Sequence, residues 1–141
     1  MKKKYVLFII LILILLFSCS NNLGKYFYSN LNKADSVKII FYKDNKSLFN
    51  DTIIKYDFKN FKFKSQEKIF KKFISNENRP FFKCGYTGKI IYYRNNSILL
   101  EAEFNIFDEC SHIVFEYKNK IYSKKISNNS LQFLKNLRNS L

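Results

Sequence analysis

The sequence predicts a small single α+β domain, a twisted antiparallel sheet in the element order ββαββββα with two helices packed on one face. Three observations carry this. Ile98, Leu100, Ala102, Phe104 and Ile106 alternate with Leu99, Glu101, Glu103 and Asn105, the period of a half-buried strand. Two other stretches place apolar residues at helical spacing: Ile69, Phe70, Phe73 and Ile74, then Leu131, Leu134, Leu137 and Leu141. The remaining β-rich runs are separated by short turn formers, which join antiparallel neighbours.

Taken in order, residues 36–43 form a first strand, Asp44-Asn45-Lys46 a turn and residues 52–58 a second strand, which makes a hairpin. Ser65-Gln66-Glu67 opens a helix: serine caps free N–H groups, and Glu67 meets the positive end of the helix dipole. Asn76-Glu77-Asn78-Arg79-Pro80 ends it, since proline lacks an N–H and clashes with the preceding turn. Residues 89–93 and 98–104 flank Arg94-Asn95-Asn96-Ser97. Asparagine tolerates the positive φ of a two-residue hairpin turn, which sets Tyr93 opposite Ile98. Ile113, Phe115 and Tyr117 alternate with Val114, Glu116 and Lys118. Asn119-Lys120 then turns the chain into a strand over residues 121–126, and Asn128 or Asn129 caps the last helix. No repeat of solenoid length interrupts this order.

The N-terminus follows other rules. Lys2, Lys3 and Lys4 precede an apolar run of about 13 residues, the length of a secretory h-region and short for a membrane span. Leu16-Phe17-Ser18-Cys19 resembles the lipobox of bacterial lipoproteins, with Leu16 in the apolar slot, Ser18 in the small slot and Cys19 as the modified residue. Phe17 stands where that family usually places a small or β-branched residue. The resemblance implies a signal peptide over 1–18, removed once Cys19 has received a diacylglycerol, whose fatty chains are of the palmitate kind. Residues 19–34 are then a lipidated tether, within which Tyr26-Phe27-Tyr28 folds back or forms a short helix, and residues 35–141 are the domain. Ser20 follows the cysteine in place of Asp, and no acidic run follows it. Within the family, these two features imply the cell outer membrane, facing the periplasm.

Two cysteines remain, and an even pair in an exported chain reads as a disulfide bond. Counting outward from the Asn95-Asn96 turn, Cys84 falls opposite Phe107, and Cys110 lies three residues beyond at the following bend. A small kink there brings the sulfurs together. Such a bridge closes a loop of about 27 residues, worth about 3.6 kcal/mol in the chain-entropy treatment. The competing reading, a metal site from Cys84, Cys110 and His112, lacks the close Cys-x-x-Cys spacing and a fourth ligand.

Basic residues outnumber acidic ones, 25 to 11, and removing the three signal lysines leaves an excess of +11. That balance favours anionic partners such as lipid head groups, glycan phosphates or nucleic acid. The lysines are dispersed, as at Lys55, Lys59, Lys62, Lys64, Lys68, Lys71 and Lys72, without a compact arginine cluster. A codon-biased composition also produces this pattern. The expected partner is therefore the membrane, through Cys19, together with a protein or an anionic envelope component, and nucleic acid is set aside.

Catalytic patterns are missing: no Gly-x-Ser-x-Gly, no His-Glu-x-x-His and no phosphate-binding glycine loop. His112 reads as a strand-end residue beside the disulfide. Glu101 and Glu103 lie on one face of one strand, so a substrate cannot sit between them. No catalytic residue, metal or cofactor is assigned. With 16 Phe and 10 Tyr, the aromatics exceed what one side of a small sheet buries. Ile40, Tyr42, Ile90, Tyr92 and Leu99 fall opposite the expected core set and form a partly exposed candidate binding face. The expected function is a lipid-anchored envelope binding module of undefined ligand, with an inhibitor or immunity lipoprotein as its specific version. The alternative is an enzyme acting on envelope glycans or lipids.

Overall fold

The computed structural model describes residues 27, 29, 31–42, 52–59, 64–80 and 84–141. The signal segment, Cys19 and the Asp44-Asn45-Lys46 turn lie outside them. The strands are β1 (Ser36–Phe41), β2 (Thr52–Asp57), β3 (Ile74–Asn78), β4 (Gly88–Arg94), β5 (Ser97–Asn105), β6 (His112–Tyr117) and β7 (Lys120–Ile126). Helix α1 (Lys64–Lys71) precedes β3 and helix α2 (Asn128–Asn139) follows β7. All neighbours pair antiparallel, in the order β2-β1-β4-β5-β6-β7-β3. This is the expected α+β class with one strand added.

The added strand is β3. Its sequence, Ile-Ser-Asn-Glu-Asn, has little strand propensity, and only Ile74 is buried. It forms because β7 offers a free edge: Ile74 pairs with Ile126 and Asn78 with Lys124, across an irregularity in register. Phe73 and Ile74 therefore continue the helical spacing of Ile69 and Phe70 without being helical. The Lys72 N–H bonds back to Ile69 O at 3.2 Å, and the chain then straightens. Pro80 follows the edge strand, where no ladder partner is lost.

The central hairpin turns through Asn95 (φ 50°) and Asn96 (φ 64°), with Tyr93 opposite Ile98. One step on, Tyr92 faces Leu100, so Leu99 is the extra residue of a bulge. The β6–β7 turn uses Lys118 (φ 50°) and Asn119 (φ 59°), one residue earlier than the Asn119-Lys120 spacing suggests. Helix ends shift too. Ser65 lies inside α1, its hydroxyl donating to Gln66 Oε1 at 2.7 Å. Helix α2 is capped by Ser127, not Asn128 or Asn129: its Oγ accepts the Ser130 N–H at 3.4 Å.

Strand side chains alternate, so Val37, Ile39 and Phe41 take one face with Tyr56, Ile90, Tyr92, Ala102, Phe104, Ile113 and Phe115. Both helices cover this face. Phe70 of α1 contacts Tyr56 (ring centroids 5.3 Å) and Phe133 of α2 (5.4 Å), and Phe133 also meets Tyr56 (5.9 Å). The helices are joined by the Ser130 hydroxyl, which donates to Ile69 O at 3.3 Å. Phe27 and Leu31, both helical and fully buried, join the same core, Phe27 lying 4.8 Å from the Phe115 ring. The packed fold thus reaches back into the segment expected to be tether. Tyr92 is fully buried and donates its hydroxyl to Phe70 O at 3.3 Å. Burial raises its phenol well above 10.

Candidate functional site

The other face of the sheet has no helix over it among the described residues. One row of cross-strand neighbours runs Ile53, Ile40, Lys89, Glu103, Val114 and Ser123. A second runs Lys55, Lys38, Ile91 and Glu101, with Glu116 and Ile121 paired beyond. Lysines on this face are offset by carboxylates: Lys38, Lys55, Lys89 and Lys125 against Asp57, Glu101, Glu103 and Glu116, with Glu77 of β3 paired to Lys125 at 3.0 Å. Lys89 and Glu101 form an ion pair at 3.1 Å. Such exposed pairs add at most about 1 kcal/mol, so they orient side chains more than they stabilise.

Apolar groups on this face divide by position. Ile40 and Ile91 are 5% exposed, flanked in register by Lys89 and Lys38, whose methylene stems can lie over them. Ile53 (54%), Ile98 (57%) and Ile121 (63%) stand free at the margins. Sequence reasoning did not single out Ile53 or Ile121, and it grouped Ile98 with Leu100, Ala102, Phe104 and Ile106, from which the bulge at Leu99 separates it. The signal was present in the pairing parity, which required the exact turn residues to read.

The expected binding face is therefore partly corrected. Ile40 and Tyr42 do lie on the uncovered side. Ile90 and Tyr92 do not; each is 0% exposed, under the helices, because β4 pairs Ile90 with Ile39 and Tyr92 with Val37. Leu99 packs partly against the core, turned there by the bulge.

At one end of the uncovered face, the chain crosses from edge strand β3 to central strand β4. Cys84 and Cys110 are joined there by a disulfide, their Cα atoms 6.3 Å apart. The kink that allows this is a short 3-10 turn, Asp108–Cys110. Gly85 takes φ 66°, and Gly88 admits no side chain: a Cβ would lie 2.3 Å from Ile40 O and 2.7 Å from the Phe104 ring. Asn105, fully buried, donates to Cys84 O (3.3 Å) and Gly85 O (3.0 Å) and accepts the Phe107 N–H (2.8 Å). Thr87 Oγ1 accepts from Ile106 N at 3.2 Å. His112 is 1% exposed, its Nδ1 2.5 Å from Cys110 O and its ring 5.8 Å from that of Tyr86.

Glu103 sits between two tyrosines. It accepts the Tyr42 hydroxyl at 3.4 Å, and burial, then the Glu103 charge, raises the Tyr86 phenol above its ordinary value. Glu101 and Glu103 project from the same side of β5, one engaged by Lys89 and the other by Tyr42. Cys84 and Cys110 spend their sulfurs on each other, so they leave no thiolate for a metal, and no cluster of three ligand residues occurs among the described residues. At the opposite end, Asp35 accepts the Asn95 N–H at 2.9 Å and pairs with Lys59 at 3.4 Å, tying the central hairpin to β1. The Asn95 hydrogen bond, with Lys59 behind it, holds the Asp35 carboxyl below its ordinary 3.8 against a smaller opposing effect of burial. No helix of the described residues is long and apolar enough to cross a membrane. The chain matches no protein-family model, no curated protein and no solved structure.

Proposed function

We propose that this protein is a lipid-anchored interaction module of the cell envelope, tethered through Cys19 at the periplasmic side of the outer membrane, that binds a protein partner on the uncovered sheet face. The observation that carries the binding part is the trio Ile53, Ile98 and Ile121, each more than half exposed on the face that no helix of the described residues covers. Exposed apolar anchors on a face whose lysines are offset by carboxylates suit a protein partner better than a polyanion, which needs an uncompensated positive field. A disulfide at the crossover suits an oxidising compartment. The lipobox-like Leu16-Phe17-Ser18-Cys19 supports the anchor.

Labelled palmitate tests the anchor: the wild type incorporates it and Cys19→Ala does not, and equal labelling overturns the reading. For the face, a photo-crosslinking residue at Ile121 captures a discrete envelope protein, and Ile53→Glu abolishes the capture while the melting temperature holds. Capture that survives Ile53→Glu overturns the assignment of this face. An inhibitor or immunity role is the specific version: the captured protein is then an enzyme whose activity falls on binding.

A further inference from the structure

We infer that α1 is a second, electrostatic contact to the bilayer, which lays the helical layer against anionic lipid head groups and turns the uncovered sheet face outward. The inference rests on the proposed acylation of Cys19 and adds an orientation to it.

The two sides of the domain differ in charge. The uncovered face offsets its four lysines with at least as many carboxylates. Helix α1 carries Lys64, Lys68 and Lys71, with Lys72 just beyond its end, and a single acid, Glu67, already paired with Lys71. These lysines are not spread round the helix. Phe70 points into the core, and positions 64, 68, 71 and 72 fall within about 100° of arc on the far side, at 100° per residue. Lys64, Lys68 and Lys72 are exposed. The stripe is a single-signed strip of charge on the outside of the helical layer.

Its position matters as much as its sign. An open cleft of about 850 Å³ runs between α1 and the start of α2, lined by Lys68, Lys71 and Lys72 on one side and reached by Asn32 on the other. Asn32 directly follows Leu31, the buried residue that fastens the entering chain to the core. The chain thus enters the domain beside the lysines. Eight Cα–Cα steps separate Cys19 from Phe27, which is already core, and a chain of that length reaches at most about 29 Å. A bilayer-anchored Cys19 therefore keeps the domain within reach of the surface, and a docked α1 gains about fivefold in equilibrium constant per lysine over anionic lipid. The acyl chains supply the attachment, and a basic strip beside them adds an electrostatic contact that sets which side faces the bilayer. The partner chemistry is a surface of anionic phospholipid, since the lysines form an exposed strip with no enclosing pocket for one free phosphate.

The test uses the acylated full chain on vesicles carrying a nitroxide-labelled lipid quencher. One fluorophore is attached through Ser65→Cys on α1, another through Glu116→Cys on the uncovered face. On phosphatidylcholine alone the chain attaches and the two labels are quenched alike. With phosphatidylglycerol added, only the α1 label is quenched more strongly, and high salt reverses it. Lys68→Gln with Lys72→Gln lowers the docked population constant roughly 25-fold, at about fivefold per lysine, with an unchanged melting temperature. Attachment to neutral vesicles with no difference between labels on anionic ones overturns the α1 contact and leaves the anchor standing. Failure to attach to neutral vesicles overturns the anchor and this inference with it.

Discussion

The helix-covered face and the uncovered face arise from the same alternating strands, yet different forces hold them. On the covered side, Phe70, Tyr92, Phe115 and Phe27 interlock at van der Waals distance, and even the Tyr92 hydroxyl finds a carbonyl. On the other side, two buried isoleucines sit in a field of paired lysines and carboxylates, with three exposed isoleucines at the rim. The difference teaches that aromatic richness here serves packing, because tyrosines fill positions where a smaller core would use leucine. The partner contact proposed above uses aliphatic residues at the margins.

The largest test of that division is Phe70→Ala. It removes a ring that touches Tyr56, Phe58, Phe73 and Phe133 and should cost about 3–5 kcal/mol in denaturant unfolding. Reducing the Cys84–Cys110 bridge, or Cys84→Ser with Cys110→Ser, should cost about 3.6 kcal/mol, read as a lower melting temperature. No shift, with both thiols titrating as free beforehand, would show that the bridge does not form. Tyr92→Phe should cost about 1–2 kcal/mol by leaving Phe70 O without its donor, against the near-zero cost of Tyr93→Phe on the other face.

Asp35 gives a pH test at the hairpin end. Its folded carboxyl titrates below 3.8, so its contribution is complete above the unfolded value of about 3.9 and is lost as pH falls through the folded value. Acid unfolding of the wild type should steepen below about pH 4, and Asp35→Asn should flatten that limb. Smallest in stability is Ile121→Ser. At 63% exposure it should change unfolding by no more than about 0.5 kcal/mol while weakening partner capture. A large loss of stability would mean that this rim is structural.

Much of the fold was legible. Period-two alternation from Leu100 onward, the Asn95-Asn96 turn and the apolar repeat of the last helix each rest on interactions between near neighbours in the chain, whereas the bulge at Leu99 puts Ile98 on the other face. The disulfide followed from the same hairpin register, extended to Cys84 and Cys110. Strand β3 was not legible, because Ile74–Asn78 is extended only while β7 lends it an edge. Nor was the fate of Ile90 and Tyr92: alternation says that they share a side, and the pairing with Val37 and Ile39 says which.

By itself, then, the sequence determined which segments other than β3 extend, which coil and where the central hairpin turns, since backbone preference and side-chain period act over a few residues. It also carried the lipobox-like signal, a motif read linearly. Tertiary structure decided which sheet face the helices cover, how far the core reaches back to Phe27, and the separation of the balanced face from the lysine stripe on α1. Those outcomes depend on burial, which is a property of the whole packed chain and has no value for any segment taken alone.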